Sequence, residues 1–116
     1  MTEFDRDPRL ERVTSKGGKA ALAVLLEAAK SNGYRLSCGG TAVPHVQFRQ
    51  TANERPYSYS LLLNPVTPTF YVRQPVRAER EEILRSFAGA HENPGGEIKI
   101  PVPDGVTAKR VAERFF

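Results

Sequence analysis

The chain has 116 residues, of which 40% are hydrophobic and 26% charged, and its formal net charge is +4. That length suits one domain with a single core, and that composition is typical of a globular protein rather than a disordered one. No window reaches the ~18 apolar residues of a membrane span, and TEFDRDPRLER is not a signal peptide, so we expect a cytoplasmic protein with no membrane partner.

The chain starts with a polar arm. Within residues 1–14 we expect at most one helical turn, begun at Asp7-Pro8. The following stretch, TSKGGK, has the glycines and lysine of a phosphate-binding loop but lacks its G-x-x-x-x-G-K-[ST] spacing and a preceding strand. We therefore predict that Gly17 and Gly18 break the arm before the first helix.

One helix and four strands are predicted next. KAALAVLLEAAK, residues 19–30, has leucines at helical spacing, and Gly33 is placed to cap that helix at its C-terminus. Alternating apolar residues and turn residues then predict strands. These strands cover residues 34–38, 42–49, 57–63 and 69–73.

The remaining sequence predicts a helix, a strand and a last helix. After Pro75, RAEREEILRSFAGA has the spacing of a helix whose Ile83, Leu84 and Phe87 face inward. EIKIPV, residues 97–102, alternates like a strand, and a final helix is expected from about Thr107, with a hydrophobic staple between Val106 and Val111. The prediction is a single α+β domain, residues 1–116, in the order α-β-β-β-β-α-β-α, with helices packed on one face of a mainly antiparallel sheet.

The register of the first hairpin is predicted from its burial pattern. A two-residue Gly39-Gly40 turn would mix Val46 and Phe48 with polar residues on one face. A three-residue loop that pairs Cys38 with Ala42 instead gathers the apolar side chains on one face, and one residue of slip would reverse every side chain. We therefore predict the three-residue loop. Its apolar face comprises Tyr34, Leu36, Cys38, Ala42, Pro44, Val46 and Phe48.

The second hairpin is predicted to have a four-residue loop, Asn64 to Thr67, with Pro65 where a type I turn prefers it. Tyr57, Tyr59, Leu61 and Leu63 then share the apolar face with Phe70 and Val72. The opposite side of the four strands, which we term the polar face, is defined by the same alternation. It carries Arg35, Ser37, His45, Gln47, Arg49, Ser58, Ser60, Tyr71 and Arg73, with Val43 and Leu62 as its aliphatic members.

Enzyme chemistry has few candidates in this sequence. Cys38 and His45 fall on opposite faces, which excludes a cysteine-protease pair, and Cys38 is interpreted as a small core residue. Neither the two histidines, His45 and His91, nor the single cysteine has metal-ligand spacing, and we expect no cofactor and no metal. Glu97-x-Lys99 has the acid-x-lysine pattern of metal-dependent nucleases but lacks a second acid on a neighbouring strand.

The excess positive charge lies in the middle of the chain. Residues 31–77 contain five basic and one acidic side chain, whereas the segments before and after them nearly balance. The first hypothesis is therefore a non-enzymatic binding module whose polar face contacts an anionic or protein partner. Its binding residues would be Arg35, His45, Gln47, Arg49, Tyr71 and Arg73.

Three alternatives remain open. RNA or single-stranded nucleic acid would be bound by arginines and a stacking tyrosine, although Tyr71 is the only outward ring expected. A homodimer would cover Val43, Leu62 and Tyr71 on the polar face and the terminal Phe115-Phe116. The third alternative is a metal-dependent nuclease with Glu97-x-Lys99 in its site. Each of these functions is weighed against a polar face that is simply solvated and binds no ligand.

Overall fold

The structure, a computed structural model, describes residues 3–40, 43–50, 59–73, 75 and 77–116. These residues form one α+β domain in which helices cover one face of a six-stranded antiparallel sheet, as the sequence predicted. The helices are α1 (Lys16–Ser31), α2 (Arg77–Ser86) and α3 (Gly105–Phe115). The strands are β1 (Tyr34–Gly39), β2 (His45–Gln50), β3 (Tyr59–Leu62), β4 (Thr69–Val72), β5 (His91–Glu92) and β6 (Ile98–Pro101), in the spatial order β1-β2-β3-β4-β6-β5.

The predicted break before α1 is wrong. The helix starts at Lys16, with Ser15 as its N-cap accepting a hydrogen bond from Gly18 N, and Gly17 and Gly18 lie inside its first turn. The reason is space, because a Cβ at Gly17 would overlap the backbone carbonyl oxygen of Pro103. Gly17 therefore allows α1 to approach the loop before α3.

The N-terminal arm is more ordered than the sequence indicated. Two short 3-10 turns, Phe4–Arg6 and Pro8–Arg12, precede α1, and the second starts at the predicted place. Asp7 caps it by accepting from Arg9 N, and Leu10 packs against the core. Gly33 ends α1 with a φ of 80°, as expected for a C-terminal cap.

The two hairpins differ in how well their registers were predicted. The second is confirmed, because Leu62 lies opposite Thr69, the register of a loop from Asn64 to Thr67. In the first hairpin Cys38 lies opposite Val46, so the predicted pairing with Ala42 is wrong by four residues. Four is an even number, so the slip preserves which side chains face the core.

The burial pattern agrees with the predicted alternation across the sheet. Val46, Phe48, Leu61, Phe70 and Val72 are at most 1% exposed, whereas Arg49 and Arg73 are exposed. Tyr34, Tyr59 and Leu63 are buried with them, and Leu36 and Cys38 are half-buried against the core. The predicted positions of Ala42, Tyr57 and Ser58 lie outside the described residues.

The C-terminal third departs from the sequence prediction at its element boundaries. α2 ends at Ser86 rather than at residue 90, and the two-residue strand β5 forms in the segment predicted as a loop. α3 starts at Gly105 because Asp104, and not Thr107, is its N-cap; Asp104 Oδ1 accepts from Thr107 N at 2.8 Å. Val106 is 75% exposed, so the predicted staple to Val111 is absent.

An aromatic cluster joins α3 to the sheet. The Phe115 ring lies 5.4 Å from both the Tyr59 and Phe70 rings, and the Phe116 ring lies 4.8 Å from Tyr34. Phe115 is 3% exposed, and Phe116 packs against the core. The protein's own core therefore covers these two phenylalanines, and they no longer support a homodimer. Within the described ranges, no helix is long and apolar enough to span a bilayer.

Candidate binding site on the polar face

Antiparallel pairing arranges the polar face into rows that run across the strands. Residues two apart on one strand are about 6.6–6.8 Å apart, and neighbouring strands are about 4.8 Å apart. One row, the arginine row, contains Arg35, Arg49 and Arg73. The next row, the amide row, contains Ser37, Gln47, Ser60, Tyr71, Lys99 and His91.

The arginine row brings like charges together. Arg35 and Arg49 are directly opposite each other on β1 and β2, and both are exposed. Among the described residues, the ion pairs include neither of these two arginines. Arg73 differs, because its Nε lies 3.4 Å from Glu97 Oε2 while its side chain remains 51% exposed. In the described part of the chain, the row therefore presents two guanidinium groups without a carboxylate partner and a third that is weakly paired.

A shallow depression of about 150 Å³ lies between the two ends of the arginine row. It is lined by Gln47, Arg49, Tyr59, Ser60 and Arg73. Ser60 is 6% exposed, so its hydroxyl lies at the floor, and the two arginines stand at the rim. Guanidinium, amide and hydroxyl groups all donate hydrogen bonds, so this depression suits an anionic oxygen.

A chain of hydrogen bonds runs along β2 on the same face. Arg49 Nη2 donates to Gln47 Oε1 at 3.1 Å, and Gln47 Nε2 lies 3.2 Å from His45 Nε2. The His45 ring lies over the glycines of β1, since a Cβ at Gly39 would be 2.9 Å from the imidazole Nε2. Gly39 therefore leaves room for the neighbouring ring and does not form a tight turn.

Tyr71 and Lys99 form a second cationic feature in the amide row. They are directly opposite each other on β4 and β6, and Lys99 Nζ lies 5.3 Å from the centre of the Tyr71 ring. Tyr71 is half-buried, and the ammonium group covers part of the ring face that a base would stack on. This arrangement adds positive charge at the expense of stacking area.

Glu97 is engaged in structural contacts. Besides the Arg73 ion pair, its Oε1 accepts from Asn93 Nδ2 at 3.0 Å, and its backbone N donates to Asn93 Oδ1. In the part of the chain that the structure describes, no group of three or more His, Cys, Asp or Glu side chains is placed to hold a metal ion. Glu97 thus stabilises the turn before β6 through Asn93, and Lys99 makes a cation–π contact with Tyr71.

Cys38 lies away from this site, on the side of β1 that faces the arm. Burial, together with the negative charge of Asp7, raises the pKa of the Cys38 thiol to about 11. Asp7 itself accepts hydrogen bonds from the Arg9 side chain and backbone, which lower the pKa of its carboxyl to about 2. A thiol held in its neutral form is a poor nucleophile, in agreement with a packing role.

All six residues predicted from the sequence lie on the polar face, but the structure brings only some of them together. Arg49, Gln47 and Arg73 line the depression, and Arg35 lies next to them across β1. His45 reaches the group through Gln47, whereas Tyr71 belongs to the neighbouring contact with Lys99. Lys99 was not among the six because the adjacency of β6 to β4 has no sequence signal, whereas Ser60 was predicted on the polar face but not as a binding residue.

Comparisons with protein-family models, with curated proteins and with solved structures gave no match for this chain. What the polar face does therefore has to be inferred from its own chemistry. From Arg35 to Lys99 the described part of this face carries four cationic side chains against the single carboxylate of Glu97. Such a surface attracts anions.

Proposed function

We propose that this protein is a binding module that holds a phosphate-bearing polyanion, with single-stranded nucleic acid as the model ligand, across the arginine row. The carrying observation is the directly opposed pair Arg35 and Arg49, which lacks a carboxylate partner within the described ranges. Like charges directly opposite on two strands destabilise a sheet. An anionic ligand between them removes that repulsion, so the pair favours the bound state over the free one.

The spacing of the row supports an extended ligand rather than a single ion. Arg35 and Arg49 are on neighbouring strands, and Arg73 follows β4, two strands beyond Arg49. With about 4.8 Å between strands, the three guanidinium groups span roughly 14 Å. Long side chains adjust this span, so the row offers contacts to two or three successive phosphates, whose affinity then depends on salt through counterion release.

The nuclease alternative has less support. Its acid, Glu97, is already ion-paired with Arg73 and hydrogen-bonded to Asn93, and its lysine lies against Tyr71. A nucleic acid bound along the arginine row would pass Glu97 as a repelling carboxylate rather than as a metal ligand. Binding without cleavage is the better fit to these contacts.

The test compares two matched variants. Arg35→Gln/Arg49→Gln removes two charges from the polar face, and Lys19→Gln/Lys109→Gln removes two exposed charges from the helices. Fluorescence anisotropy with a labelled 20-nucleotide oligo(dT) measures affinity at several salt concentrations. We expect the arginine variant to reduce the slope of log K against log salt by about 1.4, since each single-strand phosphate contact contributes about 0.7.

The lysine variant is expected to keep the wild-type slope. Equal losses in both variants would show that net charge alone attracts the ligand, and the proposal would be wrong. Inorganic polyphosphate serves as a second probe for the source of the phosphates. Binding of both probes indicates recognition of phosphate, binding of oligo(dT) alone indicates that bases contribute, and binding of neither refutes the proposed function.

A further inference from the structure

The orientation of the Gln47 side chain is fixed by Arg49. A guanidinium group has donors but no acceptor, so the Gln47 atom 3.1 Å from Arg49 Nη2 is the amide oxygen. The amide nitrogen therefore faces His45 Nε2, at 3.2 Å, and donates to it. His45 Nε2 accepts that hydrogen bond only in the neutral ring whose proton is on Nδ1.

Protonation of His45 is incompatible with this arrangement. The imidazolium ring carries a hydrogen on both nitrogens, so Nε2–H would face the Gln47 amide hydrogens. The contact is restored when the amide turns over and presents Oε1 to His45. The Gln47 NH₂ group then faces Arg49 Nη2, two donors oppose each other, and Arg49 leaves Gln47.

Among the described residues, few charges near His45 could act in place of the His45–Gln47–Arg49 hydrogen bonds. The ring faces Gly39 at the end of β1 and Gly40 just beyond it, and on β3 its partner is Leu62. From the arm, Arg9 Nη1 donates to Gly40 O, and Arg9 is ion-paired with Asp7. Along β2 itself the nearest charge is Arg49, which is linked to the ring only through Gln47.

We propose that His45 and Gln47 form a proton-controlled latch on Arg49, so that uptake of a proton by His45 releases the guanidinium group for an anionic ligand. This inference rests on the proposed function of the arginine row. By linkage, a ligand that draws Arg49 away from Gln47 also favours protonation of His45 to the same extent. Affinity for the polyanion therefore rises on acidification, as His45 takes up a proton.

The first test needs no ligand. Two-bond ¹H–¹⁵N correlation spectra of the ¹⁵N-labelled protein report the tautomer of each histidine at pH 8. We expect His45 to carry its proton on Nδ1, and its protonation to shift the Gln47 side-chain amide and Arg49 Nε resonances together. The latch would be refuted if the His45 ring carried its proton on Nε2 at pH 8. It would also be refuted if the Arg49 resonances did not change when His45 is protonated.

The second test measures oligo(dT) affinity from pH 8 to pH 5.5 in three variants. His91 is also on the polar face but bonds Gly89 O rather than Gln47, so His91→Asn is the control for His45→Asn. Wild type and His91→Asn should gain about fivefold or more in affinity on acidification, whereas His45→Asn should be flat. Gln47→Met frees Arg49 at every pH, so its affinity should change much less between pH 8 and pH 5.5 than that of wild type.

The outcomes separate the latch from simple charge. If Gln47→Met keeps the full pH dependence of wild type, His45 acts only by its added charge, and the latch is refuted. If oligo(dT) fails to bind at any pH, the proposed function is wrong, and the NMR titration still decides whether His45 controls Arg49.

Discussion

The opposition of Arg35 and Arg49 predicts a measurable cost to the free protein. If the guanidinium groups are about 7 Å apart, Coulomb's law in water gives roughly 0.6 kcal/mol of repulsion, and a Debye length of about 10 Å at 0.1 M salt reduces it to about 0.3 kcal/mol. Replacing either arginine by glutamate converts this repulsion into an attraction of similar size. Each single variant, Arg35→Glu or Arg49→Glu, should therefore gain about 0.6 kcal/mol from the pair.

A double-mutant cycle isolates that pair from other effects of the substitutions. The double variant restores like charges, so the coupling free energy sums four terms of about 0.3 kcal/mol and amounts to about 1.2 kcal/mol. Differences in strand propensity and loss of the Gln47 contact largely cancel in the cycle. Urea unfolding, analysed with one shared m-value, gives the free energy of unfolding of all four proteins.

Salt provides the control for this prediction. At 1 M salt the Debye length falls to about 3 Å, and the coupling should fall to about 0.2 kcal/mol. A coupling below about 0.3 kcal/mol at 0.1 M salt, or one that salt does not change, would refute the reasoning. The arginines would then point apart in solution, and there would be no repulsion for a ligand to remove.

Three further predictions concern the rest of the fold. Gly17→Ala should destabilise the protein by about 1–3 kcal/mol in urea unfolding, because its Cβ would overlap the carbonyl oxygen of Pro103. Gly105→Ala, whose Cβ would be 3.7 Å from its nearest neighbour, should be neutral or slightly stabilising. Equal effects would contradict the tight approach of α1 to the loop before α3. The pKa of Asp7 is lowered to about 2, so its contribution to stability is present above the unfolded carboxyl pKa of roughly 3.9 and is lost as pH falls toward 2. The difference in Tm between wild type and Asp7→Asn should therefore shrink over that interval. A constant difference would contradict the ion pair. The raised pKa of Cys38, about 11, predicts that iodoacetamide labels the native protein at pH 8 far more slowly than the urea-unfolded chain, and equal rates would show that the thiol is open to solvent.

The faces of the sheet were predictable from the sequence because alternation has a period of two. Burial fixes whether Val46 points inward, but it leaves every even slip equally acceptable, which is why the Cys38 register was wrong and the polar face was still right. In the second hairpin Pro65 restricts the turn, and the register was predicted correctly. Glycines at 39 and 40 suggested a tight turn, whereas Gly39 serves the His45 ring.

The parts of the site that sequence could not supply depend on strand order. Lys99 meets Tyr71, and Glu97 meets Arg73, only because β6 pairs with β4 after a helix and a short strand intervene. No local pattern encodes such a long-range pairing. Likewise, the hydrogen-bonded link from His45 to Arg49 depends on the conformation of Gln47, which residue spacing does not determine.

The late position of α3 in the chain affects how the protein is synthesised. The strands up to Val72 leave the ribosome before the rings of Phe115 and Phe116 that cover their inner face. Roughly forty residues separate these points, which at about 5–20 residues per second corresponds to a delay of roughly 2 to 9 seconds. During that interval the apolar side of β1 to β4 lacks the cover of these rings, so the nascent chain is most prone to aggregation at this stage.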